Sequence, residues 1–124
     1  PGLYESGKDK ELTVFELRFI KPNSGRYIGS AAMHSIEHIL AVLLRNSHRG
    51  GDIVYFGPMG CRTGFYLITR NIDIESLKKL LIECCSKAQN MDSVPGATRK
   101  ECGNYKEHNL TAAKKHLNNF IRHI

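Results

Sequence analysis

The 124 residues carry 18 Lys plus Arg against 12 Asp plus Glu, a formal net charge of +6, with 41% hydrophobic residues. A chain of this length is expected to fold as one domain, burying roughly 65–70% of its unfolded surface with no disulfide or structural metal needed merely to fold. The longest apolar run, Ile39 to Leu44, is far too short for a membrane span, and no charged-then-apolar leader is visible, so the expectation is a cytoplasmic protein with no membrane partner.

Phe15, Leu17 and Phe19 alternate with Glu16 and Arg18, which predicts a strand over 12–21 with one face on a core. Turn formers Pro22, Asn23, Gly25 and Gly29 lead to Ser30 as an N-cap. Met33, Ile36, Leu40 and Leu43 then recur at helical spacing, predicting a helix over 31–45 that Gly50 and Gly51 end. Two short apolar runs, 53–56 and 65–69, read as strands flanking the glycine-rich segment 57–64. Asp73 caps a second predicted helix with its stripe of Ile74, Leu77, Leu80, Leu81, Cys84 and Ala88. A linker over 90–98 precedes a third, capped by Asn109, with Leu110, Ala113, Leu117, Phe120, Ile121 and Ile124 inward. Strands interleaved irregularly with helices predict an α+β fold over 1–124.

His34, Ser35, Ile36, Glu37 and His38 spell H-x-x-E-H on the first predicted helix. Both imidazoles fall on one face a turn apart and can reach a single metal, with Glu37 beside them. A third ligand is needed, and Cys102, followed by Gly103, is the natural candidate. His108 and His116 compete for that place, although their sequence context favours solvent-facing roles for both, as for His48 and His123. Two imidazoles and one thiolate leave a position open, the form of a catalytic site. Cys61 lies between Gly60 and Gly64 beside Arg62, whose charge favours a thiolate able to act as acid, base or nucleophile; the alternative is an incidental loop cysteine. Cys84 and Cys85 read as core filler. A basic nucleic-acid-binding domain is a second reading, from the net charge and from Lys114, Lys115, Arg122 and His123, but no RNP-like strand or zinc-finger spacing supports it.

Five stretches carry a family resemblance: Pro1 to Tyr4, Phe15 to Phe19, Met33 to His38, Gly57 to Tyr66, and Cys102 to Tyr105. Together they resemble S-ribosylhomocysteine lyase, the LuxS family of autoinducer-2 synthesis. H-x-x-E-H is shared with inverted zinc peptidases, whereas Pro58 Met59 Gly60 Cys61 and the late Cys102 Gly103 are more specific.

The resemblance implies an antiparallel sheet packed against helices, a homodimer with active sites at its interface, and a divalent metal on His34, His38 and Cys102. The implied metal is ferrous iron, with zinc or cobalt able to substitute. The implied reaction cleaves the thioether of S-ribosylhomocysteine to homocysteine and 4,5-dihydroxy-2,3-pentanedione, a quorum-sensing precursor. Glu37 and Cys61 are the implied proton-transfer residues, Arg18 supports the Cys61 thiolate, and Arg45 holds the homocysteine carboxylate across the subunit boundary. Tyr55 occupies the place, six residues before Cys61, where many members carry a substrate-contacting Asp. Family members also begin with a short segment whose Ser and His contact the sugar, and residues 1–124 are expected to lack it. A metal-binding relative with impaired catalysis is the alternative within the family.

Overall fold

The computed structural model describes residues 1–124. Strands β1 (Gly2–Asp9), β2 (Leu12–Arg18), β3 (Ile53–Pro58) and β4 (Gly64–Arg70) form one antiparallel sheet in the order β1-β2-β4-β3. Helices α1 (Ser30–Arg45), α2 (Ile74–Ala88) and α3 (Leu110–Ile121) complete the α+β architecture, and α1 packs against β3, α2 and α3. The period-two alternation of β2 makes the layering possible. Thr13, Phe15 and Leu17 turn inward and stand opposite Thr69, Leu67 and Phe65 of β4. These side chains meet Ile36, Ile39, Leu40 and Leu44 of α1 in a core of 24 buried residues shared by one sheet face and all three helices. Phe19 ties the end of β2 to α3 by stacking on Phe120, with ring centroids 4.5 Å apart.

The N-terminal strand is a correction to the sequence expectation. Gly2–Asp9 buries only Gly2 fully and carries a bulge between Glu5 and Gly7, so it has no apolar alternation to announce it. The strand predicted over 12–21 ends at Arg18, because the N–H groups of Phe19 and Ile20 leave the ladder and donate to the Thr63 carbonyl at 2.9 and 3.1 Å. Ser30 is the first residue of α1 rather than its cap: Gly29 holds the cap position and offers no side-chain bond. The helix stops at Arg45, where Ser47 Oγ donates to the Leu44 carbonyl at 2.6 Å, ahead of the two glycines. The other two helices begin as expected, with Asp73 accepting the Ser76 N–H at 2.7 Å and Asn109 accepting the Ala112 N–H at 3.0 Å.

Between α2 and α3 the chain runs as turns without helix or strand. This irregular segment crosses the outer turns of α1 and brings Pro95, Cys102, Glu107 and His108 to one place.

Candidate metal centre

His34, His38, Cys102 and His108 each present a ligand atom, and these four atoms lie within 4.8 Å of one another. The helix supplies the first two, since a four-residue step returns the chain to the same face. The irregular segment supplies the other two. His34 Nδ1–H donates to the Glu107 carbonyl at 2.8 Å and His38 Nδ1–H donates to the Pro95 carbonyl at 2.9 Å. A carbonyl can only accept, so both Nδ1 atoms are protonated and Nε2 is left to face inward, the arrangement that fixes a metal-ligating imidazole. Cys102 Sγ stands 3.4 Å from His34 Nε2 and receives the Asn104 N–H. For zinc-type bond lengths, a nitrogen and a sulfur on one tetrahedral ion stand roughly 3.6 Å apart. Two imidazoles and a thiol at that spacing therefore fit a first-row divalent ion.

His108 was expected to face solvent. Instead its ring stacks on His34 with centroids 4.0 Å apart, and its Nδ1 meets Ser35 Oγ at 3.0 Å. Asn109, one residue later, begins α3 and gives its N–H to the same hydroxyl at 2.9 Å, which draws His108 against α1. The available sequence signal was this adjacency to a helix cap. His116 is half-buried elsewhere, in a basic cleft with Arg26, Lys115 and Arg122; burial, then Lys115 and Arg26, push its pKa down. His48 and His123 are exposed.

Glu37 stands between two cavities. One of about 260 Å³ is lined by Met33, His34, Glu37 and the hairpin residues Pro58, Met59, Gly60 and Arg62. The other, of about 340 Å³, is lined by Glu37, His38, Arg45, Gly96 and Glu101 among others. Gly96 at φ +68° is in the left-handed region, and a Cβ there would come 3.3 Å from His38 Nδ1, so the chain needs glycine at this point.

Cys61 lies on the exposed hairpin between β3 and β4, where Arg62 at φ 59° closes a turn onto the Met59 carbonyl. Its sulfur meets Thr63 Oγ1 at 3.1 Å and Arg18 Nη1 at 3.9 Å. Arg18 also donates to Thr63 Oγ1 at 2.8 Å and pairs with Glu16 at 2.7 Å. The hydrogen bond from Thr63, ahead of the Arg18 charge, holds the Cys61 thiol below its ordinary range. Arg62, which the sequence offered for that charge, lies 5.3 Å over the Tyr27 ring. Within one chain, Cys61 does not line either cavity that holds Glu37, and neither does Tyr55, which is half-exposed over Gly57 on β3. The structure thus brings together His34, His38, Cys102 and His108, with Glu37 on the cavities beside His34 and His38, and it pairs Arg18 with Cys61 on the hairpin whose neighbouring residues line the first of those cavities.

Residues 2–124 match the family described as S-ribosylhomocysteinase (LuxS). Among curated proteins, the S-ribosylhomocysteine lyase of Borreliella afzelii (strain PKo) is 46% identical over 129 residues, covering 98% of this chain and 82% of that protein. The enzyme of the same name from Finegoldia magna is 42% identical, covering 100% of this chain and 83% of the relative. That of Phocaeicola vulgatus is 39% identical, covering 99% and 83%. A match of this extent, on a fold that assembles H-x-x-E-H with a distant cysteine, makes this chain a member of the S-ribosylhomocysteinase (LuxS) family.

Proposed function

We propose that the chain is a metal-dependent lyase that cleaves the thioether of S-ribosylhomocysteine, releasing homocysteine and 4,5-dihydroxy-2,3-pentanedione, the precursor of a quorum-sensing signal. The observation that carries this reading is the convergence of His34, His38 and Cys102 beside the Glu37 carboxylate at the wall of a cavity. His34, His38 and Cys102 hold the ion, which we assign as ferrous iron, with zinc or cobalt able to replace it. A divalent ion there supplies Lewis acidity, which acidifies the C–H next to a sugar carbonyl.

The carbonyl has to migrate along the ribose by two successive aldose-to-ketose shifts until it stands β to sulfur, and elimination then expels the homocysteine thiolate. Each shift removes a proton from one carbon and returns one to its neighbour. Glu37, adjacent in sequence to His38 and lining the same cavity as His34, is placed to take and return such protons on one side. The Cys61 thiolate, supported by Thr63 and Arg18, serves the other side. Arg45 pairs with the homocysteine carboxylate; it lines the second cavity together with Glu37 of its own chain, so the subunit boundary it acts across is the one that separates it from Cys61.

Cys61 lies outside both cavities of its own chain, which supports a homodimer in which it serves the neighbouring subunit. The outward sheet face supports the same arrangement: Tyr4, Tyr55, Tyr66 and Val54 are exposed large side chains there, and Arg18 lies at its end. Tyr55 reaches the amino end of the substrate only across such an interface. No helix is long and apolar enough to cross a membrane, and all four cysteines are free, which supports a reducing cytoplasmic setting.

Anaerobic purification, metal analysis and a free-thiol release assay on S-ribosylhomocysteine test this reading. Glu37→Gln and Cys61→Ala should keep the metal and lose about 10²–10⁴-fold in turnover. A metal-loaded protein that releases no homocysteine would overturn the assignment.

A further inference from the structure

The second cavity beside α1 holds three charged side chains, Glu37, Glu101 and Arg45, and none of them has an ion-pair partner within the chain. Glu37 also lines the first cavity with His34 and the hairpin, which puts it at the end where the sugar is processed. Glu101 and Arg45 line only the second. Glu101 is held by the turn that also delivers Cys102: the N–H groups of both residues donate to the Thr98 carbonyl, at 3.1 and 2.9 Å. The Thr98 hydroxyl donates to Glu101 Oε1 at 2.9 Å. That bond commits one carboxylate oxygen. The other, Oε2, stands on the Gly96 side, where a Cβ on that glycine would come 3.8 Å from it and 3.3 Å from His38 Nδ1.

A guanidinium and a carboxylate that share a cavity and leave each other free complement a ligand carrying both charges on one carbon. The head group of an α-amino acid is such a ligand, and S-ribosylhomocysteine ends in one. We infer that Glu101 receives the ammonium group of the substrate through Oε2, while Arg45 pairs with the carboxylate on the same carbon. Glu101 then makes the site selective for thioethers of an α-amino acid over those of a plain carboxylic acid. This deepens the lyase reading above and rests on it. The ammonium is remote from the bonds that change, so the contact is made equally in ground and transition states and its loss appears in KM.

Thiol release from S-ribosylhomocysteine, compared with release from the same thioether built on 4-mercaptobutanoate, tests this in the metal-loaded protein. The analogue keeps the carboxylate and has hydrogen in place of the amino group. The amino substrate should be preferred by about 10–100-fold in kcat/KM, mostly through KM, the worth of a hydrogen bond between charged groups. Glu101→Gln keeps an oxygen for the Thr98 hydroxyl and removes the charge, and should reduce that preference to about threefold or less. Glu101→Lys should invert it. Arg45→Gln should lower both rates and keep the preference, because both substrates carry the carboxylate. Damage to the fold or to the metal lowers both rates alike, so the ratio reads the ammonium contact itself. No preference in the unaltered chain, a preference that survives in Glu101→Gln and Glu101→Lys, or one lost in Tyr55→Phe instead would overturn the inference while the lyase reading stands. Absence of thiol release from both substrates would overturn the lyase reading and the inference together.

Discussion

A thiol ionises more readily where hydrogen bonds and positive charge converge on its sulfur, and Cys61 has both. Arg18 donates to Thr63 Oγ1, which leaves the Thr63 hydroxyl proton free to point at Cys61 Sγ. The guanidinium charge itself is shared with Glu16 through Nε and Nη2, so the hydroxyl is the larger support. Burial acts the other way on the α2 thiols, pushing Cys84 up to about 11 and Cys85 to about 12. Because thiolate is the reacting form, iodoacetamide should label Cys61 well before Cys84 and Cys85 at neutral pH. The pH midpoint for Cys61 should lie below that of an ordinary cysteine. Thr63→Val should raise that midpoint more than Arg18→Gln does. Mass-spectrometric alkylation profiles check this, and the reverse order would make the arginine charge the main support. Local spacing pointed to Arg62 for this charge and the family resemblance to Arg18; the structure has Arg18 beside the sulfur, because the pairing of β2 with β4 makes it a neighbour that sequence distance alone does not reveal.

At the scale of elements, helices and central strands were legible because their burial repeats with a fixed period: Phe15 and Leu17 in β2, Leu77, Leu80, Leu81 and Cys84 in α2. Elements without that signal were not. The edge strand β1 is held by its ladder to β2 rather than by an apolar face, and His108 is placed by a tertiary contact to Ser35. The segment between α2 and α3 has no periodicity either, yet it carries half of the four-residue cluster. Its attachment to α1 runs through the carbonyls of Pro95 and Glu107, the Cys102 sulfur and the Ser35 hydroxyl. A metal on the proposed ligands would join the two halves, and a ligand that binds only the folded arrangement stabilises it by mass action. Chelation should therefore loosen this segment before the sheet. Trypsin should cut metal-free protein first at the exposed Arg99, Lys100 and Lys106, and metal-loaded protein far more slowly, with the fragments identified by mass. Equal cleavage rates would mean that the hydrogen bonds alone hold the segment. Asn109→Ala removes the side-chain acceptor for the Ala112 N–H, and should cost about 1 kcal/mol, read as a lower urea midpoint at unchanged slope.

For the whole molecule, the proposed chemistry asks how two groups that line no common cavity in one chain would serve one substrate. Glu37 and the candidate ligands His34 and His38 open on cavities at α1, while Cys61 and Arg18 belong to the hairpin and the outward sheet face. That face presents Tyr4, Tyr66 and Tyr55 as exposed side chains and the half-buried Val14 and Ile68, an apolar surface that a second copy can cover. In a symmetric dimer each of two equivalent sites then takes Glu37 from one chain and Cys61 from the other. Two variants, each inactive alone, make the test. When Glu37→Gln and Cys61→Ala proteins are dissociated, mixed in equal amounts and reassociated at random, half of the dimers are mixed. Each mixed dimer holds one site with both substitutions and one with neither. Thiol release should therefore recover to about a quarter of the wild-type rate. Were both residues to act within one chain, every site in the mixture would carry one lesion and no activity would return. Ile68→Glu, which sets a charge in the middle of the outward face, should block the recovery and yield monomers in sedimentation, with metal content unchanged because every proposed ligand comes from a single chain. Thiol release by an Ile68→Glu monomer that is otherwise wild type would show instead that Cys61 reaches the cavity of its own chain by movement of the hairpin.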